Sequence, residues 1–215
     1  GTFRLSSSYA SYVKSSLDAL DGIDVEAEPG WLESARRQNR EVNLEPVLPH
    51  PMLRATLRPY QQEGLNWLRF LEKGGYGGVL ADEMGLGKTL QALAWLQLER
   101  AGEEARNLPA LIVCPTSLVD NWAFESSRFT PDLRVLTVTG SDRHEKWAGL
   151  HEHDVVVTSY ALLRRDIEQY SAQKFSVVIL DEAQHIKNKA TQNAQAAKRL
   201  DAFHRVVLTG TPIEN

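Results

Sequence analysis

The chain has 215 residues, 42% hydrophobic and 24% charged, with 24 Lys and Arg against 28 Asp and Glu for a net charge of −4. That length supports one or two domains with a buried core, and the acidic balance leaves no global basic footprint, so any nucleic-acid contact must come from a local groove. No apolar run is long enough to span a bilayer, no stretch reads as a secretory leader, and the single Cys114, set in the apolar run "ALIVCP", reads as a buried structural thiol in a reducing compartment, with no Cys or His spacing that suits zinc.

In chain order, residues 1–50 read as an extension and linker distinct from the domain at 51–215. Tyr9, Val13, Leu17 and Leu20 follow helical spacing after a serine cluster, and a second short helix is predicted to start at Pro29. Pro46, Pro49 and Pro51 then mark an extended linker. "PYQQEGLNWLRFLEKG" predicts an amphipathic helix ending at Gly74. Six strands follow: "YGGVLAD", "ALIVCP", "RVLTVTG", "DVVVTSY", "SVVILDE" and "RVVLTGT". Helices are predicted between most of them, over 88–100, 117–127, 142–149, 160–169 and 191–200. Strands rich in Val, Ile and Leu without polar alternation are buried on both faces. Alternating with helices, they predict an α/β fold with a parallel sheet covered by helices. In such a sheet ligands bind beyond the carboxyl ends of the strands. Five polar segments follow strands directly here: "ADEMGLGKT", "PTS", "TSY", "DEAQ" and "TGTP".

The first of these, Asp82-Glu83-Met84-Gly85-Leu86-Gly87-Lys88-Thr89, has the end of the pattern G-x-x-x-x-G-K-[ST] but Asp82 in place of its opening glycine. Gly85 and Gly87 free the backbone so that amide N–H groups can converge on phosphate oxygens. Lys88 is expected to reach the β- and γ-phosphates, Thr89 to hold Mg²⁺, and the helix that starts there to offer its positive end. The competing reading is a plain Gly-rich turn, but the flanking strand and helix favour a nucleotide loop. In "VVILDEAQ", Asp181 at a strand tip is the expected Mg²⁺ partner and Glu182 the group that orients and deprotonates the attacking water. A solvated acidic pair is the alternative for these two residues taken alone.

With "LRPYQQEGLNWL" in front, "LADEMGLGKTLQALA", "LIVCPTSLVDNW", "VVVTSY", "LDEAQHIKN" and "LTGTPIEN" resemble, in order, the helicase motifs of the Swi/Snf-type ATPases of superfamily two. The likeness spans about residues 55–215. "DEMGLGKT" is similar to that family's own phosphate loop, with Asp82 at its entrance, and "DEAQ" resembles the bacterial branch. The resemblance implies a RecA-like P-loop lobe that binds ATP and Mg²⁺ and works with a second RecA-like lobe. It implies movement on double-stranded DNA to displace or remodel bound proteins, in the cytoplasm at the nucleoid. Residue by residue, it implies that Gln61 reads adenine and that Gln184 senses the γ-phosphate. Thr209 and Thr211 would couple the nucleotide to the DNA groove. Thr116, Ser117, Thr158, Ser159, Lys187 and Asn188 would meet the DNA backbone, which positions a duplex without reading its sequence. Trp122 fits a core position as well as a functional one, and the pairs Arg36-Arg37 and Arg164-Arg165 read as solvated surface. Residues 1–50 match none of the motifs.

The chain begins with Gly and stops inside "VVLTGTPIEN", so it is expected to be part of a longer protein and, lacking a second lobe's arginines, to turn over ATP barely. Two alternatives stay open: a non-catalytic interaction lobe, against which intact Lys88, Thr89, Asp181 and Glu182 speak, and an RNA-directed helicase of the same superfamily.

Overall fold

The computed structural model describes residues 44–83, 85–102 and 108–210. The readings of residues 1–43, of Met84 and of Thr211 lie outside them. From Pro46 onward the chain forms one compact unit.

Six strands build one sheet: β1 (Gly78–Leu80), β2 (Ala110–Cys114), β3 (Val135–Thr137), β4 (Val155–Ser159), β5 (Lys174–Leu180) and β6 (Asp201–Leu208), in the order β1-β6-β5-β2-β4-β3. Every pairing is parallel. All the loops that follow strands therefore emerge at one end of the sheet, where the polar segments were expected. The helices are α1 (Pro59–Gly74), α2 (Lys88–Ala101), α3 (Val119–Phe129), α4 (Tyr160–Arg165), α5 (Ile167–Ser171) and α6 (Gln192–Arg199).

The period of two along each strand divides the core. Ile112, Val157, Val177 and Ile179 join Leu65 and Leu68 of α1, Leu93 and Trp95 of α2 and Trp122 of α3 on one face. Leu111, Val113, Val156 and Val178 join Leu163 of α4, Tyr170 of α5 and Ala196 and Ala197 of α6 on the other. Both faces are covered, which is why these strands read as continuous apolar runs.

Three predicted helices differ. Residues 142–149 belong to a run of 3-10 turns over Asp142–Glu152, where only Arg143 and Leu150 are buried and no apolar stripe supports an α-helix. The helix expected over 160–169 breaks at Asp166, whose backbone (φ −110°, ψ 27°) leaves helical space while its carboxylate takes Arg143 Nε at 2.6 Å and Nη2 at 3.2 Å. The helix expected from 117 starts at Val119, after a 3-10 turn over Thr116–Leu118. The last strand starts at Asp201, earlier than its apolar run, because it pairs with β5 from Lys174 onward.

Candidate nucleotide site

The phosphate loop joins β1 to α2. Gly87 is the residue before the helix, with φ +79°, a left-handed backbone that favours glycine, and a Cβ there would lie 2.5 Å from Gln61 Nε2 and displace that amide from the loop. Gln61 braces the loop from α1: its Nε2 donates to Leu86 O at 3.1 Å, and its Oε1 accepts from the Arg58 N–H at 3.0 Å. A role in reading adenine therefore asks this buried amide to exchange one of these partners. Lys88 Nζ curls back and donates to the carbonyls of Asp82 at 2.6 Å and Glu83 at 3.0 Å. The ammonium lies within its own loop, on oxygen acceptors that phosphate oxygens can replace.

Asp82 has a clear structural function. Its Oδ2 accepts from Gln91 Nε2 at 3.0 Å, one turn into α2, and Gln91 is fully buried. The carboxylate ties the loop entrance to the helix, a link that glycine at this position cannot make. The sequence does not mark Gln91, because a single glutamine in "LQALAWL" has the same local signature as any exposed helix position.

Asp181 lies at the tip of β5 and is 7% exposed. Its N–H donates to Val113 O at 2.8 Å, and its Oδ1 accepts from the Glu182 N–H at 2.9 Å. Its Oδ2 accepts from Trp122 Nε1 at 2.9 Å, and its carbonyl accepts from the Tyr160 hydroxyl at 2.8 Å. Burial pushes its carboxyl up, while the Trp122 and Glu182 N–H groups and the charge of Lys88 pull it back. A desolvated carboxylate with lone pairs to spare suits a bound cation. Burial, then the nearby Asp181 charge, pushes the Tyr160 phenol far above its ordinary range, which keeps it a donor.

Glu182 has φ +52° and ψ +63°, the only non-glycine residue with positive φ among the described residues. Its Oε2 accepts from Gln184 Nε2 at 2.9 Å, so the exposed Gln184 amide holds the carboxylate expected to activate water. Thr209, 4% exposed, follows β6, which lies between β1 and β5, and its N–H donates to Leu80 O at 3.1 Å. Thr89 is half-buried in the first turn of α2.

Among the residues expected at DNA, Thr116, Ser117, Lys187 and Asn188 are exposed. The side chain of Asn188 accepts from the Ala190 N–H at 2.9 Å, and its carbonyl from the Thr191 hydroxyl at 2.8 Å, shaping the turn before α6. Thr158 and Ser159 need correction: they are 0% and 1% exposed. The Thr158 hydroxyl donates to Val138 O and accepts from the Tyr170 hydroxyl, and Ser159 Oγ caps α4 through the Leu162 N–H. Neither offers a free hydroxyl at the surface, because β4 is a central strand buried on both faces. Beside them, a cleft of about 180 Å³ is lined by Thr116, Tyr160, Arg164, His185 and Asn193, with the Tyr160 and His185 rings stacked 5.3 Å apart. Arg164, read from sequence as solvated surface, borders this cleft.

A parallel sheet with a lysine-bearing glycine loop after one strand and a buried carboxylate at the tip of another defines a RecA-like P-loop lobe. The profile of the SNF2-related domain matches residues 60–215, and the chain belongs to that family. It is 40% identical over 201 residues to the putative ATP-dependent helicase/translocase YwqA of Bacillus subtilis, covering 92% of this chain and 22% of that protein. It is 42% identical over 193 residues to helicase swr1 of Schizosaccharomyces pombe, covering 85% of this chain and 15% of that one. Among solved structures it is similar to the Sulfolobus solfataricus SWI2/SNF2 ATPase core in complex with dsDNA, with a TM-score of 0.73 and 41% identity over 80% of this chain and 35% of that chain. The chain thus spans about a fifth or less of the length of these curated relatives.

Proposed function

We propose that the chain is the ATP-binding first lobe of a DNA-dependent ATPase that moves along double-stranded DNA and displaces or remodels proteins bound there, at the nucleoid in the cytoplasm. The observation that carries this reading is the meeting of two features at one end of the sheet. They are the phosphate loop with Lys88 turned onto its carbonyls, and the Asp181 carboxylate, buried and within reach of the Lys88 charge.

ATP with Mg²⁺ supplies the phosphoanhydride bond and neutralises part of the phosphate charge. The chain's own residues do the rest. Lys88 and the α2 N-terminus bind phosphate, and Thr89 and Asp181 hold the metal. Glu182 takes a proton from the attacking water, with Gln184 orienting its carboxylate. Thr116, Ser117, Lys187, Asn188 and Arg164 at the strand-tip end are available to phosphates of the DNA backbone. The dsDNA bound by the Sulfolobus core and its greater length support this assignment and a second lobe beside this one.

The test is steady-state ATP hydrolysis by this chain and by a form extended through a second lobe, each alone, with duplex DNA and with RNA, beside Lys88→Ala. The extended form is expected to be stimulated by duplex DNA, and this chain alone to be ~10³–10⁵-fold slower for want of arginines from outside the loop. Lys88→Ala is expected to cost the extended form ~10²–10³-fold. RNA stimulation without DNA stimulation overturns the duplex assignment. Silence in both forms, with Lys88→Ala indistinguishable, overturns the ATPase reading.

A further inference from the structure

Trp122 is 1% exposed and sits on α3 within the apolar core against one face of the sheet. Packing alone would explain its ring, and any nearby carbonyl would satisfy its N–H. Its Nε1 instead donates to Asp181 Oδ2 at 2.9 Å, across 59 residues of sequence. Oδ1 accepts from the Glu182 backbone N–H at 2.9 Å. Each carboxylate oxygen is therefore engaged by one donor, and each keeps lone-pair capacity for a cation. The Tyr160 hydroxyl fixes the same residue from a third side, through its carbonyl. Of these three contacts, only the one from Trp122 acts on the carboxylate from outside the β5 tip.

We infer that Trp122 is a positioning residue for the metal-binding carboxylate: its indole N–H sets the Asp181 rotamer that receives Mg²⁺ with the nucleotide. The inference rests on the ATPase reading above and deepens it. A hydrogen bond that orients a metal ligand is worth about 10–100-fold in metal affinity. Loss of a ring from the core would instead weaken every property of the site together.

The experiment compares wild type with Trp122→Phe in the full-length protein. ADP binding is measured by calorimetric titration in EDTA and at stepped free Mg²⁺, beside thermal unfolding. The expected result is an Mg²⁺ concentration for half-maximal enhancement of ADP binding raised about 10-fold, with affinity in EDTA unchanged. As a second variant, the benzothiophene analogue of tryptophan is placed at 122. It keeps the ring's shape and removes only the N–H, so it reads the same quantity if the Phe variant folds poorly. An unchanged Mg²⁺ response in the analogue overturns the inference, as does an equal loss with and without Mg²⁺. Wild-type protein that binds no nucleotide under either condition overturns the ATPase reading, and this inference with it.

Discussion

Glu182 combines a strained backbone with the position expected to activate water. Its φ of +52° is left-handed, a region that costs an L-residue roughly 1–2 kcal/mol. The conformation lets the Glu182 N–H reach Asp181 Oδ1 while the Glu182 carbonyl accepts from the His185 N–H at 3.1 Å to start the next turn. Strain kept at such a place is consistent with a site selected for geometry over stability. The expected outcome is an inversion of the usual order: Glu182→Gly should be more stable than Glu182→Ala by about 1 kcal/mol in denaturant titrations, while both lose hydrolysis. Greater stability of the alanine variant would show that the backbone there is not under strain.

At the scale of elements, one buried ion pair locks two segments that have little helical character of their own. Arg143, in the 3-10 run, and Asp166, in the break between α4 and α5, have side chains only 6% and 5% exposed, and Arg143 Nη1 also donates to Gly140 O at 3.1 Å. The guanidinium beside Asp166 holds its carboxyl below the usual range. This pair therefore stabilises the fold above the carboxyl's unfolded pKa, and the contribution is lost as pH falls through the lowered folded value. Removing one partner leaves a buried charge unpaired. Arg143→Ala is expected to lower Tm by roughly 10 °C at neutral pH. Arg199→Ala, which breaks an exposed pair with Glu168, should change Tm hardly at all. Equal Tm values for the two variants would refute this ranking.

For the whole molecule, one largely buried carboxyl makes stability depend on pH. Burial, then the charge of Glu72, pushes the Glu99 carboxyl from its ordinary 4.5 up to about 7. Glu72 is already committed to Arg69 at 2.6 Å and to Trp95 Nε1 at 2.6 Å, and Arg100 is drawn to Asp154 at 2.7 Å. Because the folded value lies above the unfolded one, the folded chain holds this proton more tightly. The stabilisation is complete below about pH 4.5 and is lost as pH rises through about 7. The wild-type Tm is therefore expected to fall from pH 5 to pH 8, by on the order of 5 °C. Glu99→Gln should flatten that slope, and a variant with the wild-type slope would place its origin elsewhere.

The sequence by itself determined the class of fold and marked the segments proposed here as the nucleotide site. Unbroken apolar strands, helical spacing between them and strand-tip motifs are local patterns, each set by residues within a few positions of one another. They were enough to mark α1, α2, the six strands, the phosphate loop and the acidic pair. The tertiary structure alone decided what depends on contacts between distant segments. Asp82 is tied to Gln91, Trp122 and Tyr160 hold Asp181, and Gln61 braces Leu86. Thr158 and Ser159 are buried because helices cover both faces of the sheet at β4, whereas Arg164 borders the cleft. A hydroxyl or an indole has the same local signature whether it meets a ligand or a carboxylate 59 residues away. Only strand order and helix packing bring the partner within hydrogen-bond distance.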